Sequence, residues 1–562
     1  MKLSYLLFSA AITFSACTSE VAVEDIEKLP IADLYITADG IYSGNVAQAD
    51  LRDIAVADGK IICVSTDLSC AGHSREKTQS AIFKGYVYPG FTDAHAHLRG
   101  IGERELTLNL EGTMSVTDLV GRTTTHMATL PEDSPVMGRG WIETHWPENR
   151  FPTREDLDQI STDRAIILSR ADGHASVVNS KALELAGITV EMQAPFGGDI
   201  LRGLDGRPTG MLIDTAQGLL ADIIPTETPE RRRAAYIRAG DVYADYGWTG
   251  IHNMSADPDD VSIMTGLSDE GQMPLRIYNA MDYTGSAPDV LSADARADDQ
   301  LVTTRAIKLY VDGALGSRGA ALLEPYDDDP QNRGLIMLDK DEALEIYTMA
   351  LREGVQVSTH AIGDRGNRLV LDWYEEAFNA VPESERRVVD PRWRVEHAQI
   401  LNLDDLDRFA AIGVIPSMQP SHAIGDLHFA PARIGIERLK GGYSWQSLIN
   451  SGTIVAGGSD APVERGDPRI EFYAAVARKD QNGFTGEGWY PEEAVSRLNA
   501  LKMFTAWPAY ASFQEDNLGT IEVGKVADFT VFNGDIMTID EAEILSVEPV
   551  ATVLGGKVIM AE

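Results

Sequence analysis

Apolar positions along the chain come in short runs with two different rhythms. From Ala32, the segments ADLYITADGIYSG, LRDIAVADGKIICVS and SAIFKGYVYPG alternate apolar and polar residues and break at DG and KG, as hairpin strands do. After Gly519 the same texture returns in TIEVGKVADFTVFNG and VATVLGGKVIMAE, so both chain ends are expected to meet in one small β-sandwich domain. Between them, apolar runs alternate with helix-like stretches, the pattern of a parallel βα array. The candidate strands are VYPGFTDAHAH from Val87, TGIHNM from Thr249, LRIYNAM from Leu275, AIKLYVDG from Ala306, VQVSTHAIGD from Val355, RWRVEHAQ from Arg392, GVIPSMQ from Gly413 and TIVAGGSDAP from Thr453. The first two are separated by about 150 residues, far more than a βα connection needs, so an insertion is placed at about 103–225. The predicted fold class is α/β: a TIM-like (β/α)8 barrel over 87–510, inserted in a β-sandwich built from 32–86 and 511–562.

A chain of 562 residues with 44% hydrophobic and 24% charged positions can bury a large core, which excludes a disordered or a small disulfide-stapled protein. The net charge of -38 repels phosphates, so nucleic acid is not an expected partner. Lys2, the apolar run Leu3–Ala16 and the sequence Phe14-Ser15-Ala16-Cys17 have the layout of a secretory leader over 1–17, followed by a flexible linker over 18–31. The cysteine after small residues is similar to a bacterial lipobox, which makes Cys17 a lipid-bearing N-terminus and the protein periplasmic or anchored at the outer membrane. Simple secretion is the second reading, since Phe14 departs from the usual Leu. In an oxidising compartment Cys63 and Cys70 form a disulfide or remain two thiols, and the spacing does not choose.

His95 and His97, at i and i+2 at the end of the first barrel run, point to one face and can grip one cation. Alone the pair is weak. It gains weight because Lys308, His360, His397 and Asp460 each fall within or just past a different later strand, and barrel chemistry collects at the C-terminal ends of the strands. Four imidazoles and a carboxylate suit zinc or another first-row divalent ion better than magnesium or calcium. Lys308 is the odd member: a plain barrel lysine, or one carboxylated by carbon dioxide into an anionic ligand. Asp460, in GGSDAPV, is either a helix cap or a proton shuttle, and the two roles are compatible.

The segments PGFTDAHAH, ADGHASVVNSKAL, GRPTG, KLYVDGALGSRGAAL, STHAIGDRGN, RVEHAQ, GGSDAPV and GTIEVGKVADFTVF together resemble the amidohydrolase superfamily, in particular the amidohydrolase 3 subfamily that includes N-substituted formamide deformylases. The resemblance runs from Ala32 to Val558. It implies His95 and His97 as ligands of one metal, Lys308 as a carboxylated bridge, His360 and His397 as ligands of a second metal, and Asp460 as a ligand that shuttles protons. One or two divalent ions, zinc first, are the implied cofactors. The implied catalytic residues are Asp460 and His397, and the implied reaction is hydrolysis of a non-peptide C–N bond in a small-molecule substrate. An ester or lactone hydrolase on the same metal site, and a non-catalytic surface binding protein on the same scaffold, are the rival readings.

Asp172, His174, Ser317 and Arg318 resemble positions that line the substrate pocket, and each is equally suited to holding a loop by hydrogen bonds. Trp141, His145 and Trp146 form either an aromatic wall for substrate or a hydrophobic plug. His252 reads as a residue behind the ligands or in the core, and His73, His126, His422 and His428 stand in no interpretable motif.

Overall fold

The computed structural model describes residues 29–561 except 133, 144–145, 149, 172, 174, 196–197, 225–227, 284–300 and 487–488. Asp172, His174, His145 and the leader with Cys17 therefore lie outside the described residues. Eight parallel strands form the central sheet in chain order: β1 (Phe91–Ala96), β2 (Trp248–Ala256), β3 (Arg276–Asp282), β4 (Val302–Tyr310), β5 (Gln356–Ala361), β6 (Arg394–His397), β7 (Ile415–Met418) and β8 (Ala456–Gly457). The last is only two residues long and makes no ladder with the first. The gap is bridged instead by Ser459 N–H donating to Asp93 Oδ1 at 2.9 Å and Asp460 N–H donating to the His95 carbonyl at 2.6 Å. These strands are buried on both faces, which is why their sequences read as nearly continuous apolar runs.

The intervening helices begin and stop where the sequence directs. The helix Pro229–Tyr246 starts on Thr228, whose side chain accepts from Arg231 N–H, and ends at Gly247 with φ 99°, from which the chain turns directly into β2. The same arrangement, Asp339 at the start and Gly354 at φ 71°, brackets the helix before β5. The run expected as one strand from Val87 is two, because Gly90 separates Gln79–Pro89, which belongs to the terminal sheet, from β1. At Gly90 a side-chain carbon would lie 2.3 Å from Thr249 Oγ1, so only glycine lets the backbone cross there.

The two chain ends meet in a seven-stranded sheet that interleaves Leu34–Ile41, Leu51–Ala57, Lys60–Ser65 and Gln79–Pro89 with Phe529–Phe532, Pro549–Leu554 and Lys557–Ala561. It curls so that Ile61 N–H reaches the Lys525 carbonyl at 2.9 Å, enclosing Ile36, Ile54, Val87, Phe529 and Val553. Cys63 and Cys70 are joined in a disulfide, which decides the alternative their spacing left open. The insertion is a six-stranded mixed sheet from Leu108 to Asp214. Its strands alternate, with Val136, Leu168, Val177 and Met211 packing on one face and Ile167, Val178, Ile200 and Leu212 on the other. No described helix is long and apolar enough to cross a membrane.

Candidate metal centre

His95 and His97 leave the end of β1, and the chain turns at once into the helix Leu98–Leu106, whose first N–H donates to Asn253 Oδ1 at 2.9 Å. At the end of β6 the two-residue alternation of a strand would send Glu396 and His397 to opposite faces. His397 instead adopts φ 74°, and Asp460 adopts φ 61°, both left-handed and rare for residues with a side chain. This backbone turns both side chains into the barrel mouth. There the His397 ring centre lies 4.7 Å from that of His95 and 4.5 Å from that of His360.

Hydrogen bonding fixes which imidazole nitrogens face the mouth. His95 Nδ1–H donates to Glu396 Oε2 at 2.6 Å, His97 Nδ1–H to the Met254 carbonyl at 3.2 Å, and His397 Nδ1–H to Gln419 Oε1 at 2.9 Å. The Gln419 amide is oriented by its own NH2, which donates to the Ser417 carbonyl at 3.3 Å. Each Nε2 is thereby left as a lone pair. His97 Nε2 and His95 Nε2 lie 3.1 and 3.5 Å from Asp460 Oδ1. Lone pairs facing a carboxylate oxygen at that range repel unless a cation sits among them, so the donor set fits a divalent metal. Two groups share this character, His95–His97–Asp460 and His397–His422–Asp460, each with its ligand atoms within 4.8 Å of one another.

The electrostatics agree. Burial, with the Lys308 ammonium beside it, drives His95 down to about 3, and burial holds His397 well below the usual imidazole range, so both are neutral ligands. Burial raises a carboxyl, yet Asp460 is held well below the usual range and ionised, which takes positive charge at the imidazole nitrogens facing it, as a cation bound among them would supply. Lys308 is buried with its Nζ 3.4 Å from His95 Nε2, and burial lowers its pKa against the opposing pull of Glu396 and Asp460. His360 Nε2 lies 3.6 Å from Asp312 Oδ1, and that carboxylate accepts three backbone N–H groups, from Ala321, Ile362 and Gly363.

Several residues outside the expected set complete the centre. Arg394 and Glu396 are fully buried behind His95. The guanidinium Nε lies 2.7 Å from Glu396 Oε1, while Nη1 donates to His252 Nδ1 at 2.8 Å and Nη2 to the Ala94 carbonyl at 2.6 Å. His252 is thus a buried residue behind the ligands, as expected. Only the adjacency of Arg394 and Glu396 to His397 in RVEH signals them in sequence. His422 joins the cluster with its Nε2 3.5 Å from Asp460 Oδ2 and its ring stacked on His397, and no pattern in MQPSHA announces it.

Three other candidates fall among the described residues. Trp141 is fully buried in the core of the insertion, against Trp146, and its indole N–H donates to the Leu168 carbonyl at 2.8 Å. It plugs that core rather than walling a pocket. Ser317 is exposed. Arg318 donates through Nε and Nη2 to Asp328 at 3.0 and 2.9 Å, the loop-holding arrangement. Beside His97 opens a cavity of about 510 Å³, lined among others by Arg99, Arg139, Asn253, Ser255 and Asp282, with Arg139 supplied by the insertion.

A nearly closed parallel barrel with imidazoles and a carboxylate gathered at its C-terminal mouth defines a metal-dependent hydrolase class of protein. The chain belongs to the amidohydrolase family, whose model matches residues 84–560. It is 32% identical over 495 residues to a Bacillus subtilis (strain 168) protein named as amidohydrolase YtcJ, covering 86% of this chain and 91% of that one. It is 28% identical over 537 residues to the N-substituted formamide deformylase of Arthrobacter pascens, covering 92% of this chain and 97% of that enzyme. Among solved structures, an uncharacterized metal-dependent hydrolase from Pyrococcus horikoshii OT3 superposes with a TM-score of 0.71 at 25% identity, over 90% of this chain and 99% of that one.

Proposed function

We propose that this protein hydrolyses a non-peptide C–N bond of a small molecule, an N-substituted formamide or similar amide, with zinc as its metal. The observation that carries the reading is the convergence of the His95, His97 and His397 lone pairs on the ionised Asp460. A relative of nearly the same length that is named as a formamide deformylase supports the choice of bond. When bound, the ion polarises a carbonyl and acidifies water. The chain supplies the rest. Asp460 accepts a proton from the attacking water and returns it to the departing nitrogen, and the cavity beside His97 receives the substituent on that nitrogen. Burial favours the neutral amine of Lys308, the form that adds carbon dioxide, and we assign this lysine as carboxylated. We assign Cys17 as the lipidated N-terminus of an exported protein.

The test is a hydrolysis panel on zinc-loaded protein with matched N-substituted formamides, other amides, esters and lactones. Formamide or amide turnover at least tenfold above that of the matched esters supports the reading. Faster ester or lactone turnover makes it an ester hydrolase, and no turnover with metal bound makes it a binding protein. Short carboxylic acids that restore turnover to Lys308→Ala support the carboxylated lysine. A Cys17→Ser variant that remains in the membrane fraction overturns the lipid anchor.

A further inference from the structure

His422 sits in the short helix Pro420–Asp426 that follows β7, 9% exposed. Its Nε2 is buried without a hydrogen-bond partner and points at Asp460 Oδ2, 3.5 Å away, with Glu464 Oε1 beyond it at 4.0 Å. Its ring stacks on His397 with centres 5.9 Å apart. The two oxygens of Asp460 are thus divided, Oδ1 facing His95 and His97 and Oδ2 facing His422. Atoms bound to one tetrahedral ion through bonds of ~2.0–2.2 Å lie ~3.3–3.5 Å apart, and the Asp460–His422 separation matches that spacing. Gln419, the residue that fixes His397 with Nε2 toward the mouth, immediately precedes the helix that carries His422, so a single short segment orients both imidazoles.

We propose that His422 is a further metal ligand, presented beside His397 and Asp460 Oδ2 by the helix after β7, in addition to the ligands that the barrel strands supply. The proposal rests on the metal-hydrolase reading and adds a ligand from the helix after β7. An added imidazole nitrogen suits zinc, which takes nitrogen and carboxylate ligands together.

Crystals grown with zinc, measured on both sides of the zinc absorption edge, locate the ions directly. An anomalous peak within ~2.0–2.1 Å of His422 Nε2 is the expected result, and peaks that all leave His422 unliganded overturn the proposal. In solution, Zn²⁺ alone is titrated against a competing chelator into wild type, His422→Ala and, as a control, His428→Ala. Outer-shell partners of metal ligands change affinity by ~10–100-fold, so loss of a direct ligand is expected to weaken Zn²⁺ binding by at least ~100-fold. Wild-type stoichiometry and affinity in folded His422→Ala overturn the role of His422 alone. Absence of metal binding by wild type overturns the metal-hydrolase reading and the proposal with it. Should His422→Ala not fold, the anomalous map of the wild-type protein decides.

Discussion

Glu396 touches no mouth-facing atom of the centre, yet it sets the state of one that does. Its carboxylate accepts a hydrogen bond from His95 Nδ1–H and is held well below the usual range by Arg394 and His95 despite burial, which pushes it up. Glu396→Gln removes the charge and leaves Arg394 buried without its partner, and breaking a buried pair costs ~3–5 kcal/mol. The expected result is a lower denaturation midpoint together with zinc affinity weakened by ~10–100-fold, read by chelator competition on the folded protein. Asp460→Asn separates differently. The amide keeps the size of the carboxylate but cannot accept a proton at neutral pH, so kcat is expected to fall by at least ~100-fold. A merely capping Asp460 predicts near-normal turnover and a stability change of at most ~1 kcal/mol. Measuring kcat, bound metal and melting midpoint on one preparation distinguishes the two.

The elements act as rigid holders of these side chains. The helix Leu98–Leu106 follows the paired histidines and crosses the helix Pro229–Tyr246 so closely that a side-chain carbon on Gly102 would lie 1.8 Å from the Ala235 carbonyl oxygen. Gly102→Ala must push the helices apart, an overpacking penalty of ~1–3 kcal/mol, and the shift moves His97 at the helix start. A lower chemical-denaturation midpoint and weaker zinc binding are both expected. Gly121, in the insertion helix Val116–Met127, is the matched control: nothing lies within 4 Å of its added carbon, so Gly121→Ala is expected to stabilise by ~0.5–1 kcal/mol and to leave zinc binding unchanged. The direction of the two midpoint shifts checks the argument.

At the scale of the whole molecule, the two candidate ligand groups draw on the ends of β1, β6 and β8 and on the helix after β7, so an ion held there would tie together parts of the chain from His95 to Asp460. A ligand that binds only the folded state stabilises it by ~2.7 kcal/mol at a hundred times its dissociation constant. Chelator-stripped protein is therefore expected to melt lower than zinc-loaded protein, with midpoint and activity returning together when zinc is restored. An unchanged midpoint on stripping, followed by calorimetry with and without chelator, is the contrary result.

The periodicities of this chain were enough to determine a βα array, an insertion before the second strand and β-rich ends, because alternation and apolar runs are local consequences of which faces each element buries. The pair His95–His97 was legible for the same reason, two residues on one strand face. What only the tertiary structure decided lies where the chain leaves regular geometry or meets itself at long range. His397 and Asp460 enter the mouth through left-handed backbone that no strand alternation foretells. Glu396 contacts His95 across 301 positions of sequence, and the role of Trp141 depended on whether the insertion buried it. His422 reaches Asp460 from a short helix whose sequence has no recognisable pattern. Short-range sequence encodes the direction of a side chain relative to its own element, whereas closing the barrel decides which elements face one another, and that closure is a property of the packed whole.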